Sequence, residues 1–320
     1  MEEPRVEGPE DDEPAGKRPS GPQSKLDAPL RAWLPAIVGA LAVALLLGVG
    51  VSRVVAPVPA DDGAAGEHSG EQADGGHMHG PSGDAGEEVA DVPGGLSASE
   101  AGYTLVAERL AYADSEEPQE WAFTVETSDG EAATDFAVVH DKPMHLFAVR
   151  RDLFGYQHLH PSLDAETGVW RVETLFDHPG EWRMIADFTV VSGDEETPLT
   201  LGVDVSVPGD YDPRSPSDST PDGFAVSVEF SPEAGVSQPL LVSVAADGEP
   251  AELEPYLGAK GHLAILRESD LGFLHVHPDD EGVGDAMRFW AAVPSTGAYV
   301  AYLDFKVDGT VHTAVFTFEV

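Results

Sequence analysis

HLFAVRRDLFGYQHLHP (145–161) and HLAILRESDLGFLHVHP (262–278) are two versions of one pattern. Each runs from a His-Leu pair through an apolar stretch into a short turn, RDLFG (151–155) or ESDLG (268–272), and ends in His-x-His-Pro. An apolar run, a short Gly-containing turn and a second short run form the signature of an antiparallel hairpin. Residues two apart on a strand point to one face, so His158 and His160 are presented side by side, as are His275 and His277. A hairpin centred between residues 152 and 153 sets His145 opposite His160, and three imidazoles then converge.

Outward from the hairpins, an ungapped shift of 117 residues superposes the two halves of the chain. It carries His145 onto His262, Arg150 onto Arg267, His158 onto His275, His160 onto His277, Asp187 onto Asp304 and Phe188 onto Phe305. Short segments rich in Val, Phe, Leu, Trp and Tyr recur between turn residues: 103–109, 121–127, 145–151, 156–160, 169–175 and 182–190 in the first half. The second half has 224–230, 239–246, 262–268, 273–277, 287–293, 299–307 and 312–320. The expected fold is all-β, with two tandem immunoglobulin-like sandwiches over 96–208 and 222–320, or cupredoxin-like ones as the close alternative. Residues 209–221, rich in Pro, Ser and Asp, read as a linker. Arg150 and Arg267 stand in apolar runs and are expected to pair with Asp187 and Asp304 inside each sandwich. Trp182, Tyr299, Phe188 and Phe305 read as core aromatics, and His178 as a turn residue.

Ahead of the repeats, residues 32–52 contain no charge, and twenty-one residues at about 1.5 Å each span roughly 30 Å of hydrocarbon. Arg5, Lys17, Arg18, Lys25 and Arg31 precede the run, whereas 56–96 has no Lys or Arg. The positive-inside rule then puts residues 1–31 in the cytoplasm as a disordered tail, 32–55 in the membrane as a single anchor helix, and the rest outside. A signal peptide cleaved after Val58-Pro59-Ala60 is the competing reading, disfavoured by the 31 residues before the apolar run. Residues 56–95, acidic and without aromatics, read as a flexible tether. It carries His68 and then His77-Met78-His79, two imidazoles and a thioether that suit copper.

The 58 acidic residues face 17 basic ones, for a net charge of -41, which argues against nucleic acid as a partner and is equally consistent with a halophilic surface. There is no cysteine, so thiolate sites, disulfides and cysteine nucleophiles are excluded. A trio of neutral imidazoles suits Cu(II), Zn(II) or Ni(II) and leaves a fourth position open. Candidate fourth ligands differ between the halves: His140 in the first and His312 in the second.

The two hairpins, with YLGAKG (256–261) and DFKVDGTVHTAVF (304–316), resemble those of a family of membrane-anchored secreted prokaryotic proteins. The resemblance covers 96–320 and implies tandem sandwiches and an association with copper or heavy-metal handling. The leading expectation is an anchored extracytoplasmic protein that binds or buffers a transition metal, copper first and zinc second. Adhesion or scaffolding with structural histidines is the alternative, its protein partner unspecified. A metalloenzyme ranks third, because no general base accompanies the trio and no phosphate loop, nucleophile elbow or HExxH motif occurs.

Overall fold

The computed structural model describes residues 92–274 and 276–320, without the side chains at 277, 278, 280 and 281. All described residues fall in one compact unit. The anchor at 32–55 and the tether with His68, His77, Met78 and His79 lie outside the described residues, as does His275. Among the described residues no helix is long and apolar enough to cross a membrane, and all long regular elements are strands.

The first half contributes β1 (Ser99–Glu100), β2 (Tyr103–Ala107), β3 (Gln119–Thr127), β4 (Met144–Arg150), β5 (Gln157–Leu159), β6 (Ser162–Asp164), β7 (Val169–Thr174), β8 (Gly180–Ser192) and β9 (Glu195–Val207). The second contributes β10 (Phe224–Glu229), β11 (Ser237–Ala246), β12 (Glu249–Pro250), β13 (Gly261–Arg267), β14 (Phe273–Leu274), β15 (His277–Val283), β16 (Ala286–Ala292), β17 (Ala298–Val307) and β18 (Thr310–Glu319). Four sheets result: β1-β2-β3-β7-β6 and β5-β4-β8-β9 from the first half, β10-β11-β16-β15 and β14-β13-β17-β18 from the second. Corresponding strands occupy corresponding places in both halves.

Each half closes its two sheets over its own core. Trp121, Phe123 and Trp170 from one sheet meet Leu146, Trp182 and Phe188 from the other, and the second half packs Leu240, Val242 and Phe289 against Ile265, Tyr299 and Phe305. A third apolar layer lies between the halves: Phe147, Val149, Leu153 and Ile185 pack on Ala264, Leu266, Phe273, Val300 and Tyr302. The sheets bearing the histidine hairpins are therefore the two inner layers of a four-layer stack. Strands buried on both faces carry continuous apolar runs rather than alternation. Accordingly all seven residues of β4 are buried, whereas the outer strand β10 alternates between half-buried and exposed positions. The seam is pinned by polar contacts too. Tyr302 donates its hydroxyl to the Leu153 carbonyl at 2.6 Å, and its ring stacks on Tyr156 at 4.0 Å.

Two further segments join the halves. Residues 94–97 run along the seam: Gly94 exchanges both backbone hydrogen bonds with Phe273, Gly95 N–H donates to Thr200, and Gly202 N–H donates to Ser97. Arg183 adds a bond from Nη1 to the Gly95 carbonyl at 2.9 Å. The linker is held at both ends. Arg150 donates to the Asp212 carbonyl and Arg214 N–H to Asp152, while Ser219 pairs with Val315 and Asp218 caps Thr317.

Two expectations need correction. Strand β9 is missing from the sequence reading, because Pro198 and Gly202 interrupt its pattern. It is an edge strand whose Thr200 and Gly202 backbone groups face outward to the 94–97 segment, so Pro198, in the same phase, withholds no bond from β8. The Arg–Asp pairs also differ. Register puts Arg150 opposite Trp182 and His145 opposite Asp187, five residues apart, so the guanidinium cannot reach that carboxylate. Arg150 instead forms a two-pronged pair with Asp152, and Arg267 with Asp270, within their own turns. Trp182, Phe188, Tyr299 and Phe305 are buried core aromatics, and His178 lies in a bend beside Asp177.

Candidate metal centre

The hairpin register decides what the first trio can do. Leu146 pairs with Leu159, Phe147 with His158 and Ala148 with Gln157, which centres the turn between 152 and 153 and brings His160 beside His145. Nitrogen atoms of His145, His158 and His160 all lie within 4.8 Å of one another. Ring centroids stand 5.3 Å (His145–His158), 5.2 Å (His145–His160) and 4.8 Å (His158–His160) apart. Three imidazoles around one tetrahedral ion at Zn–N of about 2.0–2.1 Å have centroids roughly 5.2 Å apart. The trio matches that spacing with only local adjustment of ring tilt.

β4 is buried on both faces, and its odd positions face the seam, as Phe147 and Val149 do. His145 shares that phase, so the trio opens toward the second half of the molecule. There it meets Asp304. This carboxylate accepts from His158 Nδ1 at 2.9 Å and from the Thr313 hydroxyl at 2.5 Å, with the Tyr156 hydroxyl 3.5 Å away. His158 and Asp304 side chains are only 4% and 3% exposed, so this contact is shielded from water.

Hydrogen-bond accounting fixes the tautomers. The Val139 carbonyl can only accept, so His145 Nε2 carries a proton and donates it at 3.1 Å. A carboxylate likewise accepts, so His158 presents Nδ1–H to Asp304. The remaining nitrogens, His145 Nδ1 and His158 Nε2, face each other at 3.0 Å. Two lone pairs repel at that distance, and a cation, either a proton or a metal ion, must lie with them. His160 Nε2, beside them, is buried without a hydrogen-bond partner. Burial, and then the neighbouring imidazoles, push His145 down to about 4 and His160 to about 3. Both are neutral ligands at neutral pH.

The second half repeats the outer part of this arrangement. His262 Nε2 donates to the Tyr256 carbonyl at 2.9 Å, six residues upstream, as His145 does to Val139. Each acceptor begins a tight turn, Val139–Lys142 or Tyr256–Ala259, whose second residue, His140 or Leu257, has φ near +50°. Burial lowers His262 to about 4. Its ring lies 6.2 Å from His145 and 6.0 Å from His158, so the two hairpins meet at the seam. The side chain of His277 is not among the described groups. His140 approaches both sides, 6.3 Å from His145 and 5.4 Å from His262. His312 does not join them. It points to the other face of its sheet and packs on Phe224 and Phe305, at 4.7 Å and 5.5 Å. Asp304, Thr313 and Tyr256 are the groups that the sequence reading did not assign to the site. The sequence showed only that Asp recurs at 187 and 304; its place opposite His145 and His262 comes from the strand register.

The strand order β2-β3-β7-β6 against β5-β4-β8-β9, repeated as β10-β11-β16-β15 against β14-β13-β17-β18, is that of an immunoglobulin-like sandwich with an added strand beside C. A family model described as a domain of unknown function, DUF8832, matches residues 98–206 and again 219–320. The chain belongs to the DUF8832 family. Its two copies of the family domain coincide with the two sandwiches. No curated protein matches the chain. Solved structures similar to it include tandem Ig domains of titin, at 8% identity over 67% of this chain and 95% of that one, with a TM-score of 0.18. The BSP domain of a biofilm-associated protein is similar at 10% identity over 68% and 29%, TM-score 0.19. The FN1–FN3 domains of chicken CNTN1 are similar at 10% identity over 72% and 65%, TM-score 0.18.

Proposed function

We propose that this DUF8832 protein binds a transition metal outside the cytoplasm through the His145, His158 and His160 trio, and captures or buffers that metal without catalysing a reaction. One observation carries the reading. The outer protons of His145 and His158 are committed to Val139 and Asp304, which turns two lone pairs into one gap beside the unpartnered His160 Nε2. A carboxylate behind a metal-facing imidazole is a recurrent arrangement in metal sites, where it fixes the tautomer and raises basicity. Borderline nitrogen donors without a thiolate favour Cu(II) or Zn(II) over Mg(II) or Ca(II). Copper is the first choice, in keeping with the Met-containing His77-Met78-His79 stretch, and zinc the second.

An anchor at 32–55, built on the uncharged run 32–52, would hold the sandwiches outside the membrane with 1–31 inside. The test is titration of the protein with Cu(II) and with Zn(II), followed by chelator competition. Micromolar or tighter binding that is lost on replacing His145, His158 and His160 with Ala is the expected result. Absence of uptake, or uptake indifferent to those replacements, would leave the histidines structural and favour the adhesion or scaffolding alternative.

A further inference from the structure

Resting on the reading of the trio as a metal site, we infer that the site is completed across the seam, with His262 of the second sandwich as its fourth imidazole. His262 stands 6.0 Å from His158 and 6.2 Å from His145, ring centre to ring centre. Four imidazoles around one tetrahedral ion lie roughly 5.2 Å apart. An approach of about 1 Å by the second sandwich, within the reach of small interface adjustments, brings His262 to that spacing from His145 and His158.

The tautomer of His262 is already the one required. Its Nε2–H is engaged by the Tyr256 carbonyl at 2.9 Å, which leaves the lone pair on Nδ1, as Val139 leaves it on Nδ1 of His145. In both histidines the free lone pair is thus on Nδ1, and the two rings stand on opposite sides of the seam with their planes 26° apart. Other described imidazoles are placed worse. His140 is 6.3 Å from His145 and nearer to His262 than to the trio, and His312 and His178 pack elsewhere, on Phe224 and Phe305 and on Phe154. The Tyr256 ring is 6.5 Å from both His158 and His160, farther than His262 is from His158.

With this ligand set, three imidazoles come from the first sandwich, and the fourth imidazole and the orienting Asp304 come from the second. The metal then bridges the two domains, and neither half alone holds it in full. Asp304 acts as a positioning residue, through His158.

The experiment uses the full chain carrying His275→Ala and His277→Ala, which removes the second hairpin's pair, loaded with one equivalent of Zn(II). X-ray absorption should count four imidazole nitrogens around zinc, falling to three in an added His262→Ala. His262→Ala should weaken Zn(II) binding, and Asp304→Asn should weaken it by roughly 10–100-fold, while His140→Ala leaves it unchanged. Three imidazoles before His262 is replaced, or undiminished affinity afterwards, would overturn the inference and leave the trio's metal reading standing. No uptake of Zn(II) or Cu(II) by the unsubstituted chain would remove both. The first ligand count, made with His262 in place, needs no fold-perturbing change at that residue.

Discussion

Asp304 and His158 belong to different sandwiches, yet their side chains meet at 2.9 Å in a place almost closed to water. The contact makes the first hairpin's chemistry depend on the second domain. Asp304→Ala strands the His158 Nδ1–H and the Thr313 hydroxyl without their acceptor. Leaving buried donors without an acceptor costs about 1–3 kcal/mol, so urea unfolding should show a loss of that order, and Asp304→Asn a smaller one. A loss under about 0.5 kcal/mol, the size of an ordinary surface change, would show that the seam does not rely on this contact.

Buried neutral imidazoles set a pH response. His145 and His262 lie near 4 and His160 near 3 in the folded chain, against about 6.5 when unfolded. Below about 6.5 the unfolded chain takes up protons that the folded one refuses. The stability these residues contribute is thus complete above about pH 6.5 and lost progressively as pH falls toward 4 and then 3. Urea midpoints at decreasing pH should decline through this window, and less steeply in His160→Phe. A midpoint that rises on acidification would contradict the placement of these rings.

The two guanidinium turns offer a comparison within one molecule. Arg150 is 1% exposed and Asp152 10%, whereas Arg267 is 19% exposed and Asp270 38%. Arg150 also holds the Pro179 and Asp212 carbonyls. Arg150→Ala is expected to lower stability by about 3 kcal/mol or more, and Arg267→Ala by about 1 kcal/mol. Thermal melts of the two variants check the order, and equal losses would argue against the linker clamp.

Gly202 is a close-approach glycine. A Cβ there would lie 2.0 Å from the Gly95 carbonyl oxygen. Gly202→Ala should lift the 94–97 segment off β9 at a cost of about 1–3 kcal/mol. Hydrogen exchange would report it as faster exchange at Gly95 and Gly202. Unchanged exchange would mean that the segment is not held as described.

The hairpins were legible because strand parity and turn length are local. They brought His145, His158 and His160 together on paper, and the register agrees. Edge strand β9 was hidden by Pro198 and Gly202, whose tolerance depends on what lies beside the strand. The Arg–Asp assignment failed because the repeat identifies equivalent residues but gives no cross-strand register. The docking of the halves left one trace in the sequence. FAV in β4, AIL in β13 and the run YVAYLDF in β17 lack the alternation of a half-exposed strand, as befits strands buried on both sides. Asp304 could not be assigned to His158 without knowing that these faces meet. Apolar burial is non-directional, and the alignment of the halves carries no orientation.

The short run 94–97 has a mechanical meaning. It is bonded to Phe273 on one side and to Thr200 and Gly202 on the other. Tension arriving through the chain ahead of Val92 would therefore load the line where the two halves abut, in place of tugging on a single sandwich. The backbone bonds to both halves would share that load, so the strap rather than either sandwich takes the first strain.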